Sequence, residues 1–286
     1  MKTAFRIVRP DPKNSDDELR IDPELVERWL ARFLRDELVV ARGIKKAVVG
    51  VSGGVDSAVV ALLCARALGP KNVLGVRMPY ATSSPTSAKH GRLVIEKTGI
   101  DDRVVDITAA VDGYLAQEPD AGAQRRGNVM ARVRMIALFD QSAKIGGLPI
   151  GTGNKSERMF GYFTWHGDDS PPINPIGDLF KTQVWALARY LGVPRAIIEK
   201  PATADLIRGQ TDEDDLGITY AQADRILSRL LSGHDVDDII ASGFAAKDVL
   251  LVKRRVDATH WKRHLATTAM ISNTAINEFY LRPVDY

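Results

Sequence analysis

The chain has 286 residues, 45% of them hydrophobic and 26% charged, enough to bury a core in one large domain or two small ones. A dispersed net charge of +3 is too mild to imply nucleic-acid binding, and a single cysteine, Cys64, excludes internal disulfides and cysteine-rich zinc sites. The N-terminus lacks an apolar signal core and no stretch is long enough to span a bilayer, so a cytoplasmic protein with no membrane partner is expected.

Asp22-Pro23 opens a helix of about 22–42, in which Leu25, Trp29, Phe33 and Leu38 recur at helical spacing. "KAVVGV", Lys46 to Val51, predicts a buried strand, and the helix from Val55 to Leu68 stops at Gly69-Pro70. "NVLGVRMPY" predicts a second strand, Thr86 to Thr98 a second helix and "DRVVDI" a third strand. Two helical stretches follow, the second from about Asn128 to Lys144, before a short strand in "LPIGTG". The basic cluster Lys253 to Arg255, with Lys262 and Arg263 behind it, is expected to be a solvated helix face.

Strands recurring after helices predict an α/β fold, a doubly wound parallel sheet flanked by helices. Ligands of such sheets sit at the carboxyl ends of the strands. The loop Gly50 to Ser57, Met78-Pro79-Tyr80 and Gly151-Thr152-Gly153 are therefore expected to converge on one crevice. No repeat or linker marks a boundary, so one domain is expected over 1–286: the N-terminal helix of about 22–42, an α/β core of about 45–265, and a tail, 266–286, apolar enough to pack on this subunit or a partner.

"VSGGVDS", Val51 to Ser57, carries the chemistry. Helix N-termini present unpaired N–H groups and a partial positive charge that suit an anion. Gly53 and Gly54 let the backbone approach it, Ser52 and Ser57 add hydroxyls, and Asp56 can recruit Mg²⁺. Without a lysine the loop is poorly equipped to steady a transferring γ-phosphate; it suits a departing pyrophosphate.

"SGGVDS" resembles the pyrophosphate loop of the adenine-nucleotide α-hydrolases, or ATP pyrophosphatases. "GNVMARVRM", "GTGNKSERMFGYFTWHGDD", "INPIGDLFKTQVWALARYLGVP" and "KPATADLIRGQTDEDDLGITY" follow in an order that resembles bacterial NAD synthetase over most of residues 20–265. The resemblance implies ATP-dependent amidation of deamido-NAD⁺ to NAD⁺ by ammonia, through an adenylate, with release of AMP and pyrophosphate. It also implies a homodimer that builds the dinucleotide site across its interface; the N-terminal helix and the Arg132 helix are the candidate faces.

Carried over by position, the resemblance gives the loop Gly50, Val51, Ser52, Gly53, Gly54, Val55, Asp56 and Ser57 to ATP, together with Thr152, Lys181 and Thr203. It gives Mg²⁺ to Asp56 and Glu157, and makes Lys181 the cation that the loop lacks. Arg132 would contact deamido-NAD⁺, and Asp168 would receive ammonium and take its proton. As residues alone, Glu157 is also a first-turn acid, Lys181 a surface cap, Thr203 an N-cap, Arg132 a surface charge and Asp168 a turn-former. "TDEDD", Thr211 to Asp215, reads as an acidic, mobile loop and resembles one that orders over the bound adenylate.

The chain also departs from the family pattern. Trp165 stands where many members have lysine, Pro172 where an aspartate is expected, and Trp261-Lys262 where a His-Lys pair is usual. These positions belong to the deamido-NAD⁺ site, so a rebuilt dinucleotide pocket is expected at Trp165, Trp261 and Lys262. A different adenylating amidotransferase and a nucleotide-sensing module without catalysis are the competing classes. "GTGNKSE" opposes the first, and retention of Asp56, Glu157 and Lys181 the second.

Overall fold

The computed structural model describes residues 18–203, 209, 211–264, 267–269 and 271; the rest of the expected C-terminal tail lies outside them. Asp22 caps the first helix, its carboxylate accepting the N–H groups of Glu24 and Leu25, with Pro23 placed where its missing N–H costs nothing. This helix, α1 (Pro23–Arg35), continues into a π-helical turn (Asp36–Val40) and buries Leu34 and Leu38. Leu25 and Trp29, expected on the same apolar stripe as Leu38, are exposed instead.

Four parallel strands form the sheet in the order β3-β2-β1-β4: β1 (Lys46–Gly50), β2 (Val73–Arg77), β3 (Asp101–Val104) and β4 (Gly147–Ile150). The pleat divides β1 between two layers. Ala47 and Val49 join the core that contains α1, α2 (Val55–Leu68) and α7 (Lys181–Leu191), whereas Val48 meets Leu138 of α5 (Ala123–Ile145) with Val76 of β2. Helices on both faces make the sheet doubly wound, as the alternation predicts. α2 is buried nearly all round, which explains why its sequence is apolar without a polar stripe.

The helix α3 (Pro85–Thr98) sits beside α2, and α4 (Thr108–Leu115) packs on α5. α5 begins five residues before the expected Asn128, because Gly122, an N-cap without a side chain, gives no sequence signal. The third strand is shorter than "DRVVDI" and lies on the sheet edge. Beyond β4 come α6 (Lys155–Met159), α7, α8 (Arg195–Ile198) and α9 (Asp212–Leu216). The final helices are α10 (Tyr220–Leu231), α11 (Val236–Ala241) and α12 (Ala246–Ala258). A second apolar cluster joins α9–α12 to Phe160 and Phe180, and Trp185 of α7 touches both clusters.

The expected solvated basic face is only partly so. Lys253 pairs on the surface with Asp257, but Arg255 donates to the carbonyl of Asp215 and Arg263 to those of Met159 and Val256. These guanidiniums staple α12 to its neighbours by satisfying backbone carbonyls. Among the described residues no helix is long and apolar enough to cross a membrane. The sheet reverses its winding between β1 and β4, and a ligand crevice is expected outside their carboxyl ends.

Candidate active site

The loop after β1 is closed on itself. Gly53 has φ +82°, and a Cβ there would meet the carbonyl oxygen of Ser87 at 2.3 Å, so only glycine fits. The hydroxyls of Ser52 and Ser57 lie 3.0 Å apart, the Ser57 hydroxyl donates to the Gly54 carbonyl, and Gly54 N–H donates to Ser52 Oγ at 3.2 Å. Val51 extends the ladder by donating to Val76. Gly54 is the N-cap of α2 and has no side chain to cap the first-turn amides, which leaves that end of the helix suited to an anion. Val55 and Asp56 form its first turn.

Gly50 ends β1 and Gly151 follows β4, the two strands that flank the winding reversal. Met78 lies against Gly50, but Tyr80 is turned toward α4, where its hydroxyl donates to Asp112. The expected convergence of three loops therefore holds for two of them and for Met78. Gly151 N–H donates to Ile173 and Asn174 donates to the Gly153 carbonyl, so the backbone is fixed on both sides of half-buried Thr152. This pairing with Ile173 was not legible in the sequence.

Asn154 joins the two loops. Its amide donates to Asp56 Oδ1 at 2.9 Å while its own oxygen accepts Glu157 N–H, and Glu157 returns a bond to Asn154 N–H, a complete capping box for α6. The Lys181 ammonium sits between the two acids, 2.6 Å from Asp56 Oδ2 and 3.2 Å from Glu157 Oε1. Lys181 is 2% exposed, with Tyr220's ring centroid 5.3 Å from its Nζ. Asp224, which sequence reasoning missed, sets the position of this lysine. Its carboxylate accepts from Ser156 Oγ and from both the N–H and hydroxyl of Thr182; Ser156 Oγ in turn accepts Lys181 N–H.

Burial pushes the Glu157 carboxyl up to about 8; Lys181 opposes the shift, and Asp56 and Asp212 add to it. Burial alone would lower the Lys181 ammonium, but Asp56, Glu157 and Asp212 outweigh it and hold the lysine charged. One ammonium cannot neutralise two carboxylates. Asp56 is the nearer partner, and Glu157 is the acid that gains by keeping a proton. Asp212, also missed, is buried in the first turn of α9 with its Oδ1 unpartnered. Contrary to the expected acidic loop, Thr211 caps a helical turn here by accepting Asp214 N–H, and the following acids suit its positive end. Half-buried Thr203 follows Ala202, whose carbonyl accepts Asp212 N–H.

The remaining candidates gather at a second place, on the chain leaving α6. Arg132 of α5 donates to the Trp165 carbonyl at 3.0 Å, and the Trp165 ring meets Trp261 edge-on at a centroid distance of 5.2 Å. Lys262 donates to the carbonyls of Gly161 and Phe163, its ammonium over the Phe163 ring. Asp168 Oδ1 accepts Thr164 N–H. Surrounding protein pushes the Asp168 carboxyl upward, yet the residue keeps an exposed face and water screens the effect. His166, between Trp165 and Gly167, holds the left-handed φ of 53°. Pro172 is exposed just before Ile173.

Asp56 and Glu157 are two mostly buried hard oxygen donors, a donor set that fits Mg²⁺ when phosphate and water complete its shell. Among the described residues no cluster of three metal-ligating side chains occurs.

Comparison with known proteins bears on what this crevice does. The family model described as NAD synthase matches residues 26–266. The NH(3)-dependent NAD(+) synthetase of Trichlorobacter lovleyi is 49% identical over 260 residues, 91% of this chain and 95% of that protein. The structure of NMN synthetase from Francisella tularensis superposes with a TM-score of 0.78 at 30% identity, covering 87% of this chain and 99% of that one. An NH3-dependent NAD synthetase from Campylobacter jejuni, in complex with nitrate, gives 0.75 at 28% identity, covering 87% and 100%.

Two outcomes test this geometry. Asp224→Asn should lower stability by about 2 kcal/mol in urea unfolding, because the amide cannot accept all three donors. In metal-free buffer, folded Glu157 holds a proton that an ordinary carboxyl, near 4.5, releases on unfolding, so its contribution to stability should fall between about pH 4.5 and 8. Glu157→Gln should flatten that part of the stability–pH profile.

Proposed function

Because the chain belongs to the NAD synthase family, we propose that it makes NAD⁺ from deamido-NAD⁺, ATP and ammonia. The observation that carries the proposal is the Asp56–Lys181–Glu157 cluster, set beside a helix N-terminus that offers anion-binding amides. The nicotinate carboxylate attacks the α-phosphate of ATP, forming an acyl-adenylate as pyrophosphate leaves. Ammonia then adds to the acyl carbon, AMP departs, and one proton is lost from nitrogen. Adenylation is required because a carboxylate is a poor electrophile with a poor leaving group.

The loop amides from Gly50 to Ser57 and the hydroxyls of Ser52 and Ser57 hold the pyrophosphate end. Lys181 compensates its growing charge. Asp56 and Glu157 would hold Mg²⁺, which offsets negative charge on the leaving group. Thr152 and Thr203 bind the nucleotide, Arg132, Trp165, Trp261 and Lys262 the deamido-NAD⁺, and Asp168 receives ammonium and takes its proton. The whole of 1–286 acts as one synthetase domain in the cytoplasm. We assign it a homodimer, supported by exposed Trp29 on α1 and by Ile136 and Phe139 on α5, the helix that carries Arg132.

The decisive assay incubates purified protein with ATP, Mg²⁺, ammonium and deamido-NAD⁺ and follows NAD⁺. The corresponding mononucleotide acid is run in parallel, since one structural relative is an NMN synthetase. Turnover of neither acid would sink the proposal, and turnover of the mononucleotide alone would reassign the substrate. Asp56→Asn and Glu157→Gln should each lower kcat by about two orders of magnitude, the scale for losing transition-state electrostatics. Trp165→Ala should raise KM for deamido-NAD⁺ about three- to thirtyfold and leave KM for ATP unchanged. An unchanged dinucleotide KM with a lower Tm would show that Trp165 only packs on Trp261.

A further inference from the structure

Building on the metal assignment above, we propose that Lys181 is an internal counter-ion that blocks the Asp56–Glu157 pair until a nucleotide draws it away, so that a divalent cation binds only together with the triphosphate. The ammonium lies between the same oxygen atoms a divalent cation would need, 2.6 Å from one acid and 3.2 Å from the other. A divalent cation placed between the same two oxygens would need the volume the ammonium fills and would be repelled by its charge.

Lys181 is held in place by more than its two acids. Its backbone N–H is fixed by Ser156, which Asp224 fixes in turn, and the Tyr220 ring stands behind the ammonium. Asp212 adds a further buried carboxylate nearby. An ammonium with 2% exposure cannot leave its acids without another anion, since a buried unpaired charge is strongly unfavourable. A place for such an anion is the N-terminus of α2, whose Gly54 cap offers no side chain and whose first turn carries Asp56 itself. Phosphate bound there gives Lys181 a new partner and frees the two acids in one event. Metal and nucleotide then each raise the affinity of the other, as linkage requires.

The test counts protein-bound Mn²⁺ by electron paramagnetic resonance, with and without α,β-methylene-ATP, on the whole chain and on Lys181→Met, Asp56→Asn and Glu157→Gln. The unmodified protein should bind Mn²⁺ alone at least about tenfold more weakly than with the analogue, and K181M should bind Mn²⁺ alone about tenfold more tightly than the unmodified protein. Mg²⁺ without nucleotide should raise the Tm of K181M and leave that of the unmodified protein unchanged. Equal Mn²⁺ affinity with and without the analogue would overturn the inference. If K181M does not fold, that comparison on the unmodified protein decides alone. If K181M gains nothing while D56N and E157Q lose the Mn²⁺ held with the analogue, only this inference falls. If D56N and E157Q keep that Mn²⁺, the metal assignment falls and takes this inference with it.

Discussion

One buried ammonium gathers three helix N-termini to a point. Asp56, Glu157 and Lys181 each sit in the first turn of their helices, α2, α6 and α7. For the two acids that place is favourable, because the positive end of a helix welcomes a carboxylate. For the lysine it is unfavourable, and burial makes it more so. Nothing in α7 itself explains a lysine at its start; the carboxylates of two other helices do. Removing one partner of such a cluster typically costs about 3–5 kcal/mol, so the cluster orders the crevice as much as it equips it.

The two parts of the site are joined by a short covalent path. Glu157 on α6 belongs to the charged part, and the chain leaving α6 becomes, within a few residues, the segment held by Lys262, Arg132 and Trp261. Phe160–Trp165 is the covalent link between them. Asn154 plays the corresponding part between the loops after β1 and β4, tying Asp56 to the capping box of Glu157. Geometry that catalysis needs to within fractions of an ångström thus rests on backbone caps rather than on free side chains.

What the sequence made legible was local. A strand, a glycine pair and an apolar helix are patterns of adjacent residues, and α2 forms from Val55 to Leu68 as its composition predicts. The meeting of Asp56 with Lys181, 125 positions apart, has no periodicity to reveal it; resemblance to a known family placed both residues at the site, and the folded chain supplies the contact. Asn154 could have been found without that help, since Asn-x-x-Glu before a helix is a capping signature. Asp212 and Asp224 could not, because a buried acid has the same letter as a surface one. The turn at Thr211–Asp215 was misread for a related reason: four consecutive acids look solvated until a threonine cap and a helix dipole are counted. Leu25 and Trp29 fit the helical stripe, but a π-helical turn follows α1 and the buried residues are Leu34 and Leu38.

The sheet's outer edge has a consequence for the protein in a crowded solution. All four side chains of β3 are exposed, and three of them in succession, Asp101, Asp102 and Arg103, are charged. A bare edge strand is a template on which another chain can extend the sheet, the first step toward insoluble aggregates. Here the strand is short, and any chain pairing with it would have to accommodate that charged row, while Arg77 already binds Asp102 from within. Self-association through strand addition is disfavoured at this edge, so crowded copies of the chain do not extend the sheet from β3.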